Sequence, residues 1–474
     1  METTGIKSLL SEAFNYDPTP GQQRAIDGLA AFISAGNEEA LFILKGYAGT
    51  GKTTLVSALV KVLPQFRIRP ILLAPTGRAA KVLGHYSGRK AYTIHKMIYR
   101  KASGPDGIEK FTKSPNLFAN AIFIVDEASM ISGYVASENM FNQGSLLEDL
   151  LGYVREGENC KIIFIGDGAQ LPPVGSPASP ALDAKFLERN FSLNVSFEEL
   201  TDVVRQKEES GILENATAIR GDLMNEKNIS PKFKLKGFSD IISIDGTELE
   251  DALNSSYSNY GTEETMVICR SNKRANIFNK QIRARILWKE EEISAGDLMM
   301  VVKNNYFWLT ETSAAGFIAN GDIIEILKVK GYRELYGFRF ADVSIKMIDY
   351  PGEPEMEVKL LLNTIDSDAP SLSQAENRKL YDEVSADYMH IPIKRERFLK
   401  LKKDPFFNAL QVKFAYAVTC HKAQGGQWPC VFVEQGYLTE EMVDKEYLRW
   451  LYTAITRATE KLYLVNFNES FFHD

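Results

Sequence analysis

A phosphate-binding loop is indicated at residues 46–54, which read GYAGTGKTT. Glycines in such a loop let successive backbone N–H groups point at phosphate oxygens, near the positive end of a helix dipole. Lys52 would reach the β- and γ-phosphates, and the Thr53 hydroxyl would bind Mg²⁺. An apolar run precedes the loop and helical periodicity follows it, which is the strand–loop–helix context that the pattern requires. The sequence therefore predicts a nucleoside triphosphate site.

Two carboxylates follow the apolar run AIFIV at residues 121–125, which predicts a buried strand. Asp126 would hold Mg²⁺, directly or through its water shell, because this cation favours hard oxygen ligands. Glu127 would orient and polarise an attacking water. A second apolar strand at residues 161–166 is followed by Gln170, which is placed to sense a γ-phosphate.

The composition describes a soluble protein of several domains. A chain of 474 residues predicts two to four domains, and 45% hydrophobic with 25% charged residues fits globular cores. Without an apolar run of membrane-spanning length or a signal peptide, and with four cysteines lacking metal-ligand spacing, the sequence predicts a cytoplasmic protein with reduced thiols. The net charge of −7 does not suggest a protein coated in nucleic acid, although a locally basic groove is compatible with it.

Three further stretches show how the chain is organised. Residues 68–83 read as strand, turn and helix, so Pro75 and Thr76 follow a strand end, the usual place for function in an open α/β sheet. Residues 100–120 are polar and turn-rich, which predicts an inserted hairpin or loop. Residues 310–409 alternate in polarity or run β-branched, which predicts a small antiparallel β-module.

Nine motifs occur in order along the chain: TPGQQRA, GYAGTGKTT, LAPTGRAAKVL, TIHK, IVDEASM, IGDGAQLPPVG, LTDVVRQ, TCHKAQGGQW and YTAITRA. In this set and order the chain resembles the superfamily 1 DNA helicases, most closely the 5′-to-3′ branch, superfamily 1B, with its Dda-type, RecD-like and Pif-type enzymes. The resemblance covers nearly the whole chain. It implies an α/β fold with two RecA-like P-loop motor domains, a small hairpin insert in the first and an SH3-like β insert in the second.

The resemblance also divides the chain into domains. It implies a first RecA-like motor domain at residues 1–195 with an inserted pin or wedge subdomain at 84–120, a second motor domain at 196–309 and 410–474, and the SH3-like insert at 310–409. The two inserts carry no motif, so they are assigned by their position in the chain and by their pattern of polar and apolar residues.

Residue roles at the ATP site follow from the same resemblance. The implied ATP-binding residues are Gln22, Gly46, Gly49, Thr50, Gly51, Lys52, Thr53 and Thr54, with Thr53 and Asp126 as the Mg²⁺ ligands. The implied catalytic residues are Lys52, Asp126, Glu127, Gln170, Arg205 and Arg457. The two arginines come from the second motor domain, where a guanidinium can neutralise charge on the phosphoryl group in the transition state. Hydrolysis would then depend on closure of the cleft between the domains.

Contacts to single-stranded DNA are implied along a groove above both motor domains. The residues are Pro75, Thr76, His95, Thr419 and His421. Hydroxyl and imidazole groups suit phosphate positioning more than base reading, so we expect binding to tolerate any sequence.

The expected function is an ATP-dependent DNA helicase that translocates 5′-to-3′ on single-stranded DNA and unwinds duplex DNA by coupling hydrolysis to cleft closure. The expected partners are single-stranded and duplex DNA, with replication or repair proteins as further candidates and no membrane; the oligomeric state is open. Two alternatives remain. One is a translocase that displaces proteins from DNA without unwinding it, and the other is a P-loop phosphotransferase of small molecules, which leaves the second half of the motif series unexplained.

Overall fold

The computed structural model describes residues 3–36, 40–103, 109–133, 145–204, 210–224, 231–309, 313 and 315–473. The described strands form a six-stranded sheet, a five-stranded sheet, a closed barrel and a two-stranded ribbon. Within these ranges, every helix is too short or too polar to cross a membrane. All four cysteines are buried with free thiols.

The six-stranded sheet is built from the N-terminal part of the chain. Its strands and those of the ribbon are β1 (Ala40–Gly46), β2 (Arg69–Ala74), β3 (Ala91–Thr93), β4 (Tyr99–Ser103), β5 (Glu109–Lys113), β6 (Ala121–Val125), β7 (Lys161–Gly166) and β8 (Asn194–Leu200). The helices are α1 (Thr3–Phe14), α2 (Pro20–Ser34), α3 (Lys52–Val62), α4 (Gly77–Ser87), α5 (Ile94–Ile98), α6 (Leu146–Arg155) and α7 (Ala184–Phe191). The sheet order is β3-β2-β6-β7-β1-β8, with all neighbours parallel.

The central strands of this sheet are buried along their whole length. Every residue of β6 and β7 is buried, since helices cover both faces of the sheet, and the near-continuous apolar runs of these strands reflect that. Because the strands are parallel, the loops after β1, β2, β6 and β7 meet at one edge. The motif residues of the N-terminal part therefore gather at this edge.

The first sheet extends further than predicted. Strand β8 pairs with β1 from Asn194, opposite Ala40, to Leu200, opposite Gly46. The predicted domain boundary at residue 195 therefore lies inside a strand. The sequence NVSFEEL alternates in polarity because β8 is at the edge of the sheet, so it lacks the apolar run by which buried strands are recognised.

The segment predicted as an inserted subdomain, residues 84–120, contributes to two structures. Strand β3 is the edge strand of the main sheet and pairs with β2. Among the described residues of this segment, the strands that leave the sheet are β4 and β5, which form an antiparallel ribbon whose register runs from Tyr99 opposite Lys113 to Ser103 opposite Glu109. Residues 104–108, between these strands, lie outside the described residues.

The C-terminal part contains the second parallel sheet and the barrel. Its strands are β9 (Ile241–Ile244), β10 (Thr265–Cys269), β11 (Leu298–Val301), β12 (Ile323–Leu335), β13 (Phe338–Met347), β14 (Met356–Leu361), β15 (Leu410–Phe414), β16 (Ala417–Thr419), β17 (Trp428–Glu434) and β18 (Ala458–Val465). The helices are α8 (Gly211–Met224), α9 (Leu249–Tyr260), α10 (Asn272–Gln281), α11 (Gln374–Ala386), α12 (Lys394–Lys402), α13 (Cys420–Ala423) and α14 (Lys445–Ile455). The second sheet has the order β16-β10-β17-β18-β9, and all its neighbours are parallel.

The barrel closes in the order β11-β12-β13-β14-β15. It begins at Leu298 and ends at Phe414, so it takes one strand from each side of the predicted β-module at residues 310–409. Strands β11 and β15 are antiparallel neighbours, with Met299 opposite Phe414. The chain therefore leaves the second sheet and returns to it at one place.

A buried carboxylate stabilises this junction between the barrel and the second sheet. Asp297, directly before β11, accepts hydrogen bonds from Arg283 Nη2 at 2.9 Å and Lys289 Nζ at 3.0 Å. It also accepts from the Ser294 amide at 2.7 Å and the Tyr416 hydroxyl at 3.1 Å. Arg283 follows α10, and Tyr416 follows β15, so a single side chain holds both ends of the barrel to the helix before it.

We expect Asp297→Ala to lower the free energy of unfolding by about 3–5 kcal/mol, because it leaves the buried guanidinium of Arg283 without its carboxylate. Urea denaturation followed by tryptophan fluorescence measures the change. Asp366→Ala is the control, since its pair with Lys280 is exposed and is worth about 1 kcal/mol or less. Equal small losses in both variants would contradict the structural role of Asp297.

Candidate active site between the two parallel sheets

The phosphate-binding loop connects β1 to α3, as predicted. Gly49 and Gly51 have positive φ angles, +74° and +85°, which favour glycine. A Cβ atom at Gly46 would lie 2.8 Å from the Thr50 hydroxyl and 2.9 Å from Cγ of Lys52. The loop therefore closes so tightly that a side chain does not fit at this glycine, which is the geometry of a phosphate cradle.

The polar side chains of the loop lie on its concave side and at the start of α3. Lys52 Nζ donates to the carbonyl oxygens of Gly46 at 2.6 Å and Tyr47 at 2.8 Å. The Thr50 hydroxyl also donates to the Tyr47 carbonyl, at 2.8 Å. Thr53 is exposed in the first turn of α3, so its hydroxyl is accessible to a ligand.

Gln22 packs directly against the phosphate-binding loop. Its side chain is 2% exposed; Nε2 donates to the Thr50 carbonyl at 3.0 Å, and Oε1 accepts from the Thr19 amide at 2.9 Å. The second bond belongs to the capping box at the start of α2. Gln22 thus fixes α2 to the loop, and its adenine-reading role stays a prediction.

Asp126 lies at the end of β6 and is held by two donors. Its Oδ2 accepts from the Tyr86 hydroxyl at 2.5 Å, and its Oδ1 accepts from the Glu127 amide at 2.9 Å. Burial raises the pKa of Tyr86 well above its usual value, so the phenol stays a donor. Tyr86 belongs to α4 and was not predicted as a site residue, because no motif includes it.

Glu127 is half-buried, and its backbone conformation is strained. Its φ angle is +50°, which is uncommon for a residue other than glycine and is often found at functional sites. Its Oε1 lies 3.8 Å from Nη1 of Arg457, while its Oε2 has no hydrogen-bond partner among the residues that the structure describes. Burial raises the pKa of Glu127 to about 6, against the opposing effects of Arg457 and Lys52. A carboxylate with this pKa and a free oxygen is suited to accept a proton near neutral pH.

Arg457 reaches Glu127 from the other half of the chain. It follows α14, is 3% exposed, and donates from Nε to the Thr453 carbonyl at 3.0 Å and from Nη1 to the Gly426 carbonyl at 3.1 Å. These bonds fix the direction of the guanidinium. Arg205, the other predicted arginine, lies outside the described residues.

Helix α14 contacts two loops of the first sheet. The Tyr452 hydroxyl donates to Asp167 Oδ2 at 2.7 Å and accepts from the amide of Ala48 in the phosphate-binding loop at 2.8 Å. One residue further on, the Thr453 hydroxyl accepts from the Leu171 amide at 2.9 Å. Both side chains lie in the YTAITRA motif, so the signal was present in the sequence, but only the arginine of that motif was given a role.

Gln170 also lies at this junction. It is 6% exposed, and its Oε1 lies 3.5 Å from Nε2 of Gln424, which donates to the Leu171 carbonyl at 2.8 Å. Gln424 belongs to the loop after α13 in the C-terminal part. The predicted γ-phosphate sensor is therefore in contact with both halves of the chain.

Two family models match the chain. The AAA domain model matches residues 18–229, and the UvrD-like helicase C-terminal domain model matches residues 414–465. The chain is 26% identical over 293 residues to the ATP-dependent DNA helicase dda of Enterobacteria phage T4, covering 60% of this chain and 61% of that protein. It is 34% identical over 134 residues to the ATP-dependent RecD2 DNA helicase of Deinococcus radiodurans, covering 28% of this chain and 16% of that protein.

The predicted resemblance to superfamily 1B helicases is confirmed. The RecBCD enzyme subunit RecD of Buchnera aphidicola is 23% identical over 478 residues, covering 91% of this chain and 71% of that subunit. Among solved structures, the Pif1 helicase from Bacteroides in complex with ADP-AlF3 and ssDNA is similar, with 15% identity, coverage of 97% of this chain and 95% of that one, and a TM-score of 0.47.

The helicase-motif residues predicted to contact DNA lie at strand ends of both parallel sheets. Pro75 and Thr76 follow β2, and the Thr76 hydroxyl caps α4 by accepting from the Ala79 amide at 3.2 Å. Thr419 ends β16, and the exposed His421 belongs to α13. The two groups come close together, because a Cβ atom at Gly425, shortly after His421, would lie 3.4 Å from the Thr76 hydroxyl.

His95 lies in α5, directly after β3. Its ring centroid is 5.8 Å from that of Tyr99 and 6.1 Å from that of Phe317, which precedes β12 of the barrel. Burial lowers the pKa of His95 to about 4, so the imidazole is neutral at pH 7. It would therefore bind a phosphate oxygen through a hydrogen bond and not through charge.

Arg78 is a further residue of this surface, one that the sequence analysis did not single out. Its guanidinium lies 4.5 Å above the ring of Trp428, and Nη2 donates to the Gln427 carbonyl at 3.3 Å. Its Nη1 is 3.7 Å from a carboxylate oxygen of Asp349 in the barrel domain. Arg78 thus contacts the second sheet and the barrel at once, and it gives Gln427 and Trp428 a structural role.

We expect ATP hydrolysis to fall as the pH is lowered through about 6, because protonated Glu127 cannot accept a proton from water. Glu127→Gln should lower kcat by about 10²–10⁴-fold and remove this acidic limb. Steady-state hydrolysis between about pH 5 and 8, with single-stranded DNA present, measures both effects. The control is Glu188→Gln, an exposed position on α7, which should keep the wild-type rate and profile. An unchanged acidic limb in Glu127→Gln would exclude Glu127 as the titrating group.

Proposed function

We propose that the protein is an ATP-dependent DNA helicase that moves 5′-to-3′ on single-stranded DNA and unwinds duplex DNA. The observation that carries this proposal is the contact between the buried Arg457 and Glu127, because it divides one hydrolytic site between two sheets. Chemistry at such a site depends on the relative position of the sheets, which is the requirement for a motor. The helicase relatives support the same function.

The described residues fit a nucleoside triphosphate with Mg²⁺. The tight glycine-rich loop suits the phosphates, and the Lys52 ammonium lies inside the loop to bind their oxygens. Thr53 and Asp126 offer a hydroxyl and a carboxylate, which are the oxygen donors that Mg²⁺ prefers. The metal, when bound, neutralises phosphate charge. Glu127 accepts the proton of the attacking water, and Arg457 stabilises negative charge that develops on the transferred group.

Movement follows from the contacts that the C-terminal part makes with the ATP-site loops. Tyr452 binds the phosphate-binding loop, Gln424 lies against Gln170, and Arg457 lies against Glu127. A change in the ligand bound at these loops therefore alters the contacts that hold the second sheet in position. We infer that closure and opening of this cleft shift the DNA-facing loops relative to each other.

We propose that the DNA strand crosses the strand ends of both sheets, where the predicted DNA-contact residues lie. The β4–β5 ribbon is our candidate for the strand-separating pin, and the barrel is our candidate for the SH3-like insert. The contact between Lys96 Nζ in α5 and the Ser313 carbonyl, at 3.0 Å, supports a common surface of the ribbon base and the barrel domain. A protein that only translocates has no need of a strand separator, so the ribbon favours the helicase over the translocase.

Polarity and site assignment can be tested together with tailed duplexes. We expect unwinding from a 5′ tail and none from a 3′ tail. Lys52→Ala should abolish hydrolysis and unwinding, because the loop loses its only ammonium group, while circular dichroism stays unchanged. Lys61→Ala is the matched control, since Lys61 is exposed in the last turn of the same helix.

The results that would contradict the proposal are distinct. Unwinding only from a 3′ tail would refute the polarity, and DNA-stimulated turnover by Lys52→Ala would refute the site. ATP turnover that ignores single-stranded DNA would instead favour a small-molecule phosphotransferase.

A further inference from the structure

We propose that Asp149 is a positioning residue for strand separation, because its carboxylate holds the base of both strands of the β4–β5 ribbon. The inference rests on the proposed function, since it needs the ribbon to separate strands. It assigns a role in unwinding to a residue of α6, a helix that carries none of the predicted ATP-site or DNA-contact residues.

The two strands of the ribbon are held at the same level. Tyr99 begins β4, Lys113 ends β5, and the two are paired directly opposite each other. The Tyr99 hydroxyl donates to Asp149 Oδ2 at 2.6 Å, and Lys113 Nζ lies 2.7 Å from Asp149 Oδ1. Each carboxylate oxygen therefore binds one strand.

Burial makes this contact stronger than a surface ion pair. The Asp149 side chain is 2% exposed, while Lys113 is 37% exposed and covers it. Hydrogen bonds to an ionised group are shorter and stronger than those between neutral groups, and both distances here are short. Burial and the neighbouring carboxylate raise the pKa of Tyr99, so its hydroxyl remains a donor at every pH at which the protein works.

The helix that carries Asp149 is itself firmly anchored. Leu147, Leu150 and Leu151 of α6 are buried in the core below the first sheet. A second contact holds the chain after β5, where Asn116 Nδ2 donates to the Tyr153 carbonyl of α6 at 2.9 Å. The ribbon base is thus fixed to a packed helix and not to a loop.

An isolated two-stranded ribbon is marginally stable, so a ribbon that meets a duplex depends on its base to stay in place. Anchoring one strand would leave the other able to slide or splay under load. Anchoring both strands to one carboxylate prevents this. The start of β4 and the end of β5 cannot move apart without breaking a contact to Asp149. Loss of Asp149 should therefore uncouple duplex opening from ATP hydrolysis.

The test compares Asp149→Ala, Tyr99→Phe and Lys113→Met in the full chain. Hydrolysis stimulated by single-stranded DNA and unwinding of a 5′-tailed duplex are measured on the same samples. We expect Asp149→Ala to lower unwinding about tenfold while hydrolysis stays within about twofold of wild type, so that more ATP is used per base pair opened. Glu148→Ala, an exposed position next to Asp149 in α6, should leave both rates unchanged.

Double variants show whether the three side chains act as one unit. Tyr99→Phe and Lys113→Met should each lower unwinding less than Asp149→Ala does. Neither should lower it further in the Asp149→Ala background, because their common partner is already gone. Asp149→Glu, which keeps both oxygens and the charge, should retain more unwinding than Asp149→Ala.

Each other outcome overturns the inference in a recognisable way. Wild-type unwinding by Asp149→Ala, or a proportional loss of hydrolysis and unwinding, would exclude a positioning role. If circular dichroism shows that Asp149→Ala does not fold, the ratio of unwinding to hydrolysis in Tyr99→Phe and Lys113→Met decides instead. If the wild-type protein hydrolyses ATP on DNA but unwinds neither tailed duplex, the proposed helicase function fails and this inference fails with it.

Discussion

A half-buried carboxylate and a buried guanidinium from opposite halves of the chain meet between the two parallel sheets of this protein. Glu127 follows β6 of the first sheet, with its side chain 20% exposed, and Arg457 follows α14 of the second half and is 3% exposed. A guanidinium buried to this degree is costly without a carboxylate partner. Their pairing requires that the two sheets lie against each other. Burial raises the pKa of Glu127 to about 6, and the positive charge of Arg457 opposes that shift. The backbone at Glu127 is strained, with a φ angle of +50°.

Around this pair, polar contacts join the halves of the chain beside an apolar one, in which Tyr47 and Leu171 of the first half pack into the core of the second. The hydroxyl of Tyr452, the carboxamide of Gln424 and the guanidinium of Arg78 each bind a loop of the other half. Hydrogen bonds of this kind depend steeply on distance and direction, so a small rotation of one sheet breaks several of them together. An interface with these properties favours separate arrangements over continuous sliding, which suits the motor cycle that we propose.

The chemistry of the site could be predicted from the sequence because the residues of each motif lie close together along the chain. The glycines and Lys52 stand within a few positions of each other, and the carboxylates directly follow an apolar strand. Residues whose partners are distant in sequence could not be found this way: Tyr86 reaches Asp126, Arg78 reaches Trp428, and Asp149 reaches Tyr99 only in the folded chain. The predicted domain boundaries differ from the structure at two kinds of strand. Strand β8 is polar because it lies at a sheet edge, and β11 and β15 lie outside the segment whose alternating pattern predicted the β-module.

The closed barrel leaves and rejoins the second sheet through neighbouring strands, with Met299 beside Phe414 and the Ala415 amide bonded to the Leu298 carbonyl. The covalent connection between the barrel and the second sheet is therefore confined to these two stems, beside the paired strands β10 and β16. The barrel domain also touches the helices of the first sheet, through Asp349 at Arg78 and through Ser313 at Lys96. A shorter or different barrel on the same stems would thus keep the register of the second sheet but lose these contacts, so the length of this domain sets how firmly the two halves of the chain are joined.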